Sequence, residues 1–560
     1  TDAALLYALI HRIIVERNWE EICDVPYIGD DTNSPYLVGP NGYFLRDPET
    51  RKPLIWDLSD NTAKTHDANI GKPGIAGTYT ASGVEEGADG EEWSHTNIEA
   101  STSFQKLIEH ITPYSPEWAE ETCDVPAENI RRIADEFVAH ARIGETIEIE
   151  GETLPFRPVS VMLGKSVNNG WGGYNCCWAR TVLCTLVGSL EVPGGTLGTA
   201  VKLNRPADNR RKSATPGPDG FMHYPFNETS KEGWQKDPKI RNGYNTLVPL
   251  AANSPWSAAL GPAHLPWLFQ KQQPANWPKQ TNPDMWICYR TNPSISHWNG
   301  PEIAKRIAEF PFTVAFAYTD DETNHMADIL LPEATDLEGL QLIRIGGTKF
   351  VQQYWKHQGW AIRQPVAEPV TDIMDMTDIA TELAKRVGIL EEYNSAINRG
   401  AAGQRLTKDE FDYGLDPTVP HSRDEIWDAV AKAASHELSD GEEIHDLEWF
   451  KENSHMLAPF SQLEWYLYPA LKSQGMRFEL PYQERIKRHG TQLSNRLHEQ
   501  GIEWWDAQLK EYEPLPSWEP FPEIWKNYAA EVGKNPDDYQ FWALTARSMQ
   551  YSWGANVGLP

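Results

Sequence analysis

The stretch MWICYRTNPSISHWNGPEIAKRIAEFPFTVAFAYTDDETNHMADILLP (residues 285–332) decides the fold class. MWICY (285–289) is a short apolar run without alternation, the pattern of a strand buried on both faces. Residues 301–310 place Ile303, Ile307 and Phe310 on one helical face. FTVAFAY (312–318) reads as the next strand and ADILLP (327–332) as a short further one. Strand–helix–strand order predicts an α/β fold, a parallel doubly wound sheet with helices on both faces. In such sheets ligands sit beyond the carboxyl ends of the strands.

The same alternation extends outward. PVSVML (158–163) reads as a strand followed by a helix over 174–187, and a helix over 375–387 carries Ile379, Leu383 and Val387. Upstream, TDAALLYALIHRIIVERNW opens on an amphipathic helix within 1–20, SPYLVGPNGYFLR (34–46) reads as a hairpin, and the polar residues 60–100 read as an exposed loop. Ser115-Pro116-Glu117 and Pro126-Ala127-Glu128 mark two helix starts. A Pro-, Trp- and Asn-rich insertion spans about 200–280, and 390–540 is Trp-rich and polar with short helical pieces.

Composition narrows the class. With 560 residues, 40% apolar and 23% charged, the chain is a globular protein of several units. Its net charge of -30 argues against nucleic-acid backbones as partners. No apolar run is long enough for a bilayer span. Six cysteines form no CxxC pair, which suggests buried thiols in a reduced, cytoplasmic compartment. The chain begins at Thr1 and ends in WGANVGLP, so we read it as an interior piece of a longer polypeptide.

Each expected strand ends in a loop of small polar residues. The first supplies Gly164, Lys165, Ser166, Asn168 and Asn169; the second Arg290, Thr291, Asn292, Pro293, His297 and Asn299; the third Thr319, Asp320, Asp321, Glu322 and Thr323. Glycine admits close backbone approach, Asn and Ser offer donors and acceptors, and Lys and Arg face phosphates. Three such loops along one sheet edge could hold a nucleotide-like ligand. None is a full GxGxxG or P-loop signature, and ordinary turn chemistry is the competing reading.

Taken in order, the motifs resemble those of the molybdopterin oxidoreductases of the dimethyl-sulfoxide-reductase family. They are SPYLVGPNGYFLR, TPYSPEWAEETCDVPAENIRRIADEFV, GSLEVPGGTLG, YRTNPSISHWN and DETNHMADILLPEATDLE, with TARSMQYSWGANVGLP at the end. The resemblance implies a bis(molybdopterin guanine dinucleotide) centre holding molybdenum or tungsten. It implies that 1–150 is the later part of a first nucleotide-binding half and 151–390 a second α/β dinucleotide-binding domain. Residues 391–540 would be a connection, and 541–560 the start of a C-terminal β-barrel. It places Gly164, Lys165 and Asn168 on the pterin-facing loop. Asn292, Pro293, His297 and Asn299 fall on the loop around one guanosine diphosphate arm, with Arg290 at its start. Thr323 and Asp328 match a further pair, Asp320 or Asp321 stands in for a guanine-reading acid, and Arg547, Ser548 and Tyr551 fall at the barrel entry. Alternative readings make Asp328 a strand cap, His297 a surface or core histidine, and Glu333 and Glu338 solvated acids.

The segment that would hold a 4Fe–4S cluster has no counterpart in this sequence, nor does the residue that ligates the metal, so no metal ligand is assigned. The resemblance implies a small-molecule or CoA-thioester substrate, an iron–sulfur electron-transfer subunit, and also a membrane-anchor subunit. Residues 329–369 and 197–250 resemble the large subunit of phenylacetyl-CoA:acceptor oxidoreductase, which implies water-dependent oxidation to phenylglyoxylate, with Trp171, Tyr174, Trp355 and Trp360 as candidates for an aromatic pocket. The rivals are a reductase of thiosulfate, polysulfide, arsenate or a similar oxyanion, and a metal-free electron-transfer or assembly subunit. A carbohydrate hydrolase needs two carboxylates facing one bond, and no marked pair appears.

Overall fold

The structure is a computed structural model. It describes residues 2–163, 172–197, 215–223, 284–296, 300–317, 320–346, 356–369, 372–499 and scattered positions between 501 and 541. Most of the 200–280 insertion and all of 542–560, where the barrel start is expected, lie outside them. Among the described residues no sheet closes into a barrel.

The first helix, α1 (Asp2–Ile14), is apolar around most of its circumference and buried accordingly. A helix without a polar face must lie inside a core. It does so between α2 (Ser103–Ile111), α3 (Pro116–Cys123), α4 (Ala127–His140) and α5 (Gly173–Leu186). Tyr7, Ile10 and Ile13 meet Phe104, Leu107, Ile130, Val182 and Leu183 there. Each fully buried aliphatic side chain contributes roughly 1.5–3 kcal/mol. Ser115 caps α3 by accepting from Trp118 N–H, with proline at the first helical position.

Residues 60–77 hold a short strand (Thr62–Thr65) and a loop, but 78–100 are not a loop. They form β1 (Thr78–Glu86) and most of β2 (Glu92–Thr102), an antiparallel pair with a register shift between Ala81 and Gly83. Their Gly, Thr and Glu content reads as loop, but Tyr79, Ala81, Ile98 and Ala100 turn to one apolar cluster at strand spacing. Leu37 and Val38 pair with the end of β2, and the Pro-Asn-Gly turn beside them wraps the buried Glu85 carboxylate, which accepts from Asn41 N–H and Tyr43 N–H.

PVSVML is likewise not a strand. Residues 158–163 run as irregular chain, held by Val159 N–H to Arg157 O and Val161 N–H to Thr196 Oγ, with Met162 exposed. Their bonds go to the turn that follows α5, so no ladder forms. That turn is GSLEVPGGTLG (188–198), described through Leu197. It folds on itself through Thr196 N–H to Ser189 O and Glu191 N–H to Thr196 O. Gly188 has φ +66°, and a Cβ there would lie 2.5 Å from Asp24 Oδ2. Asp24 is fixed by Arg157 at 2.8 Å and caps the short helix Val25–Asp31.

Residues 285–332 form a three-stranded parallel sheet: β3 (Trp286–Tyr289), β4 (Thr313–Ala317) and β5 (Ile329–Pro332), with β4 central. The helix between β3 and β4, α6 (Gly300–Ile307), covers one face: Ile303 and Ile307 pack with Trp286, Phe310 and Met326. The expectation of helices on both faces is corrected for the described residues. Ile287, Tyr289, Ile329 and Leu331 share the other face by register and remain exposed at 37–51%. The helix α7 (Met376–Val387) does not bury its apolar stripe there; Leu383 and Val387 are exposed, and Thr381 and Ala384 turn inward.

A second apolar core follows. An antiparallel sheet of β6 (Gln341–Gly346), β7 (His357–Arg363) and β8 (His455–Pro459) packs on α9 (Arg423–Leu438), which follows α8 (Leu390–Asn398). Ser422 and Glu425 form a capping box at the start of α9. Trp360 is 3% exposed among Leu342, Leu406, Val430 and Phe450. This corrects its reading as a pocket wall: it is core.

Residues 476–484 return as a strap over the first core. Asn33 N–H donates to Phe478 O and Leu480 O, and Trp178 Nε1 donates to Pro481 O. Beneath the strap, Arg46 holds Asp219 and Glu484 at 2.6 and 2.8 Å. Burial pushes the Glu479 carboxyl up to about 7 and that of Asp31 up to about 6.

These buried charges set two measurable quantities. Asp24→Ala removes a helix cap and strands a buried guanidinium, so urea denaturation should show a loss of about 3–5 kcal/mol, whereas exposed Arg132→Ala should stay within about 0.5 kcal/mol. A raised carboxyl stabilises the fold below its ordinary range near pH 4, and that stabilisation is lost as pH rises through about 6 to 7. The urea midpoint should therefore fall between about pH 5 and 8, by on the order of 2 kcal/mol in stability, and Glu479→Gln should flatten most of that slope.

Candidate functional site

The parallel register of β3, β4 and β5 sets the site. Tyr289 pairs with Phe316, and Ala317 with Pro332, so the three carboxyl ends lie at one level. The loops leaving them carry Arg290 to Ser296, Asp320 to Met326, and Glu333 to Gly339.

Two of these loops are clasped together by buried polar groups. The Thr323 hydroxyl donates to Asn292 Oδ1 at 2.7 Å, lies 2.9 Å from Ser294 Oγ, and accepts from Ser294 N–H at 3.1 Å. Asn292 and Thr323 are both fully buried, and Asn292 Nδ2 donates to Glu322 Oε2 at 2.7 Å. Pro293 is buried and opens a single helical turn, closed by Ser296 N–H to Asn292 O. Asp321 caps the opposite loop by accepting from Thr323 N–H and Asn324 N–H, and burial raises its carboxyl above the usual range.

The first and third loops are joined by an ion pair. Arg290 Nε and Nη2 each lie 2.8 Å from a Glu333 oxygen, a two-point pairing. Tyr289 OH donates to the same carboxylate at 2.9 Å, and the guanidinium lies over the Tyr289 ring at 5.4 Å. Burial works against the Arg290 charge, and Glu333 more than offsets it, so the guanidinium is raised. Burial, then Glu333, pushes the Tyr289 phenol up to about 12. Glu333 is 6% exposed, which corrects its reading as a solvated acid.

The structure thus brings Arg290, Asn292, Pro293 and Thr323 to one edge. Asp320 lies beside them, largely exposed, 3.6 Å from His325. Asp328 does not join them. It accepts from Thr313 N–H at 2.7 Å at the amino end of β4, about 13 Å of strand away from the edge. Gly164, Lys165, Asn168, His297, Asn299, Arg547, Ser548 and Tyr551 lie outside the described residues, as do Trp171 and Trp355. Tyr174 stands at the start of α5, its hydroxyl 2.9 Å from Gln483 Oε1. Sequence reasoning misses Ser294 and Glu333 as members of the edge. The usable signal is an acid directly after an apolar strand, two strands from an arginine directly after another.

Among the described residues no group of three His, Cys, Asp or Glu side chains could hold a metal ion, and no helix is long and apolar enough to cross a membrane. The polar groups that line this edge of the sheet are hydroxyls, an amide and backbone groups, with the carboxylates beside them.

Comparison with known proteins gives this edge a context. No protein-family model matches the chain. It is 24% identical over 332 residues to a trimethylamine-N-oxide reductase of Haemophilus influenzae, covering 57% of this chain and 34% of that one. It is 28% identical over 222 residues to a sulfite dehydrogenase subunit of Allochromatium vinosum, covering 35% and 21%. It is 25% identical over 197 residues to the alpha subunit of chlorate reductase from Ideonella dechloratans, covering 34% and 19%. The matched stretches thus span about a third or less of these relatives' lengths. Acetylene hydratase from Pelobacter acetylenicus superposes with a TM-score of 0.42 at 15% identity, over 95% of this chain and 52% of that one. The curated relatives point to the molybdopterin oxidoreductases of the dimethyl-sulfoxide-reductase family.

The clasp has a measurable energy. Asn292→Ala and Thr323→Val should each destabilise the protein by about 1–3 kcal/mol, since Thr323→Val leaves Asn292 Oδ1 without its donor and Asn292→Ala removes the bond that ties Thr323 to the first loop's amide. In a double-mutant cycle read by urea denaturation the two should couple by about 1 kcal/mol or more; simple additivity would mean that the loops do not hold one another.

Proposed function

We propose that the chain is part of the catalytic subunit of a molybdenum or tungsten oxidoreductase, and that its carboxyl-edge loops hold the nucleoside end of a pterin guanine dinucleotide. The observation that carries this reading is the Asn292–Ser294–Thr323 clasp, which rigidifies the mouth of a parallel sheet where such ligands bind. The donor set fits that end of the group. Amide, hydroxyl and backbone groups suit a sugar or base edge, while Asp320, Glu322 and Glu333 make the described rim a poor place for a diphosphate. By the resemblance, Gly164, Lys165 and Asn168 would meet the pterin. His297 and Asn299 would complete the nucleoside loop, and Arg547, Ser548 and Tyr551 would close over the pterins. When bound, the group supplies a two-electron redox centre. Asn292 and Thr323 position the loops, and Arg290 with Glu333 keeps the third loop against the first.

Relatives named for reducing trimethylamine N-oxide and chlorate, and one for oxidising sulfite, support a small oxo compound or oxyanion as the substrate class. Oxidation of phenylacetyl-CoA is the second reading. It rests on the resemblance of 329–369 and 197–250, and it loses Trp360, which is core. An iron–sulfur electron-transfer subunit is the expected partner, since two relatives carry subunit names.

Elemental analysis of the purified protein should find molybdenum or tungsten together with guanine nucleotide released by acid. With a reduced viologen dye as donor, trimethylamine N-oxide or chlorate should be consumed. Turnover only of phenylacetyl-CoA with an artificial acceptor would select the second reading, and absence of both metal and nucleotide would defeat both.

A further inference from the structure

Arg290 is the residue at this edge whose backbone is hardest to explain. It has φ +48°, the left-handed region. There a side chain with a Cβ crowds its own backbone, and glycine is the usual occupant. The turn is needed because β3 ends at Tyr289 and Asn292 must come back over the loop from β4. The backbone at 290 still belongs to the sheet, since its N–H donates to Phe316 O at 3.2 Å.

Its side chain is anchored beyond the sheet. The guanidinium reaches past the end of the central strand, which closes on the small Ala317, and meets Glu333 at two points of 2.8 Å. Glu333 is itself fixed: its N–H donates to Ala317 O at 3.1 Å, and Tyr289 OH donates to Oε1. Glu333, which follows β5, is thus tied by its backbone to the end of β4 and by its carboxylate to the end of β3. A strained backbone persists only where its surroundings over-determine it, and such residues cluster at ligand clamps.

We propose that Glu333 is a positioning residue: by gripping Arg290 it keeps position 290 in the left-handed turn from which Asn292 and Ser294 reach Thr323, and so sets the loop that receives the nucleoside arm. The last clause rests on the function proposed above; the grip itself does not.

The experiment is a mutant cycle of Glu333→Gln, Arg290→Gly and the double variant in the full chain. Two quantities are read: amide hydrogen exchange over residues 290–296 against that of α5, and affinity for guanosine diphosphate against adenosine diphosphate. Glu333→Gln keeps the shape and removes the charge. It should speed exchange in 290–296 about tenfold or more with α5 unchanged, and weaken guanosine diphosphate binding by a similar factor. The double variant should return both towards the wild-type values, because glycine adopts the turn without a grip. Wild-type exchange in Glu333→Gln, or a double variant as loose as Glu333→Gln alone, overturns the proposal. Glu333→Asp, which keeps the charge, should sit between wild type and Glu333→Gln; a looser loop than in Glu333→Gln would also overturn it. Failure of the wild type to bind guanosine diphosphate overturns the nucleoside reading, while the exchange data still judge Glu333.

Discussion

The clasp between Asn292 and Thr323 depends on a single constraint, the in-register parallel pairing of three short strands. Parallel strands released at one level deliver their loops side by side. A slip of one residue would turn the inward residues outward and part the two side chains. The clasp in turn makes demands of its own. Its groups are buried, so each must be paired, and they are: Thr323 with Asn292 and Ser294, Asn292 also with Glu322. Fully satisfied polar groups in a low-dielectric pocket fix one arrangement of the loops, which an apolar contact would not.

Charge divides the edge into regions with different chemistry. The described rim carries Asp320, Asp321, Glu322 and Glu333 against Arg290, and the guanidinium is engaged by Glu333. In a protein with a net charge of -30, an anionic ligand gains nothing from long-range attraction. Any phosphate must be met by local donors, and a nucleoside is the part that can approach an acidic rim without repulsion. The neutral amide and hydroxyls suit that division.

Much of this is legible in the sequence, and the failures have physical causes. The elements within 285–332 can be read because apolar runs of strand length separated by one amphipathic helix admit few other arrangements. Residues 78–102 read as loop because polar side chains on the solvent face mask the two-residue period of Tyr79, Ala81, Ile98 and Ala100. PVSVML has strand composition, but its backbone bonds are taken by the turn after α5, a tertiary effect that composition does not carry. At the edge, Arg290, Asn292 and Thr323 are identifiable as polar residues after strands. That Thr323 bonds Asn292, or that Glu333 is buried under Arg290, requires the register. Asp328 lies in the same motif as Thr323 yet at the other end of the sheet, because a strand's length separates residues that sequence places close together.

The strap shows why local motifs understate what supports a site. Residues 476–484 bond to Asn33, Trp178 and Arg46, groups drawn from two distant parts of the chain. Tyr174, at the start of α5, reaches Gln483 from the same side. The end of the strap therefore braces α5. In this brace Glu484 is buried and Glu479 half-buried, and desolvation raises both carboxyls more than the neighbouring arginines lower them. Protonation state and the packing of α5 are thus coupled through one segment. The clasp at Asn292 is a local contact between neighbouring strands, whereas the support of α5 is non-local and built on charge.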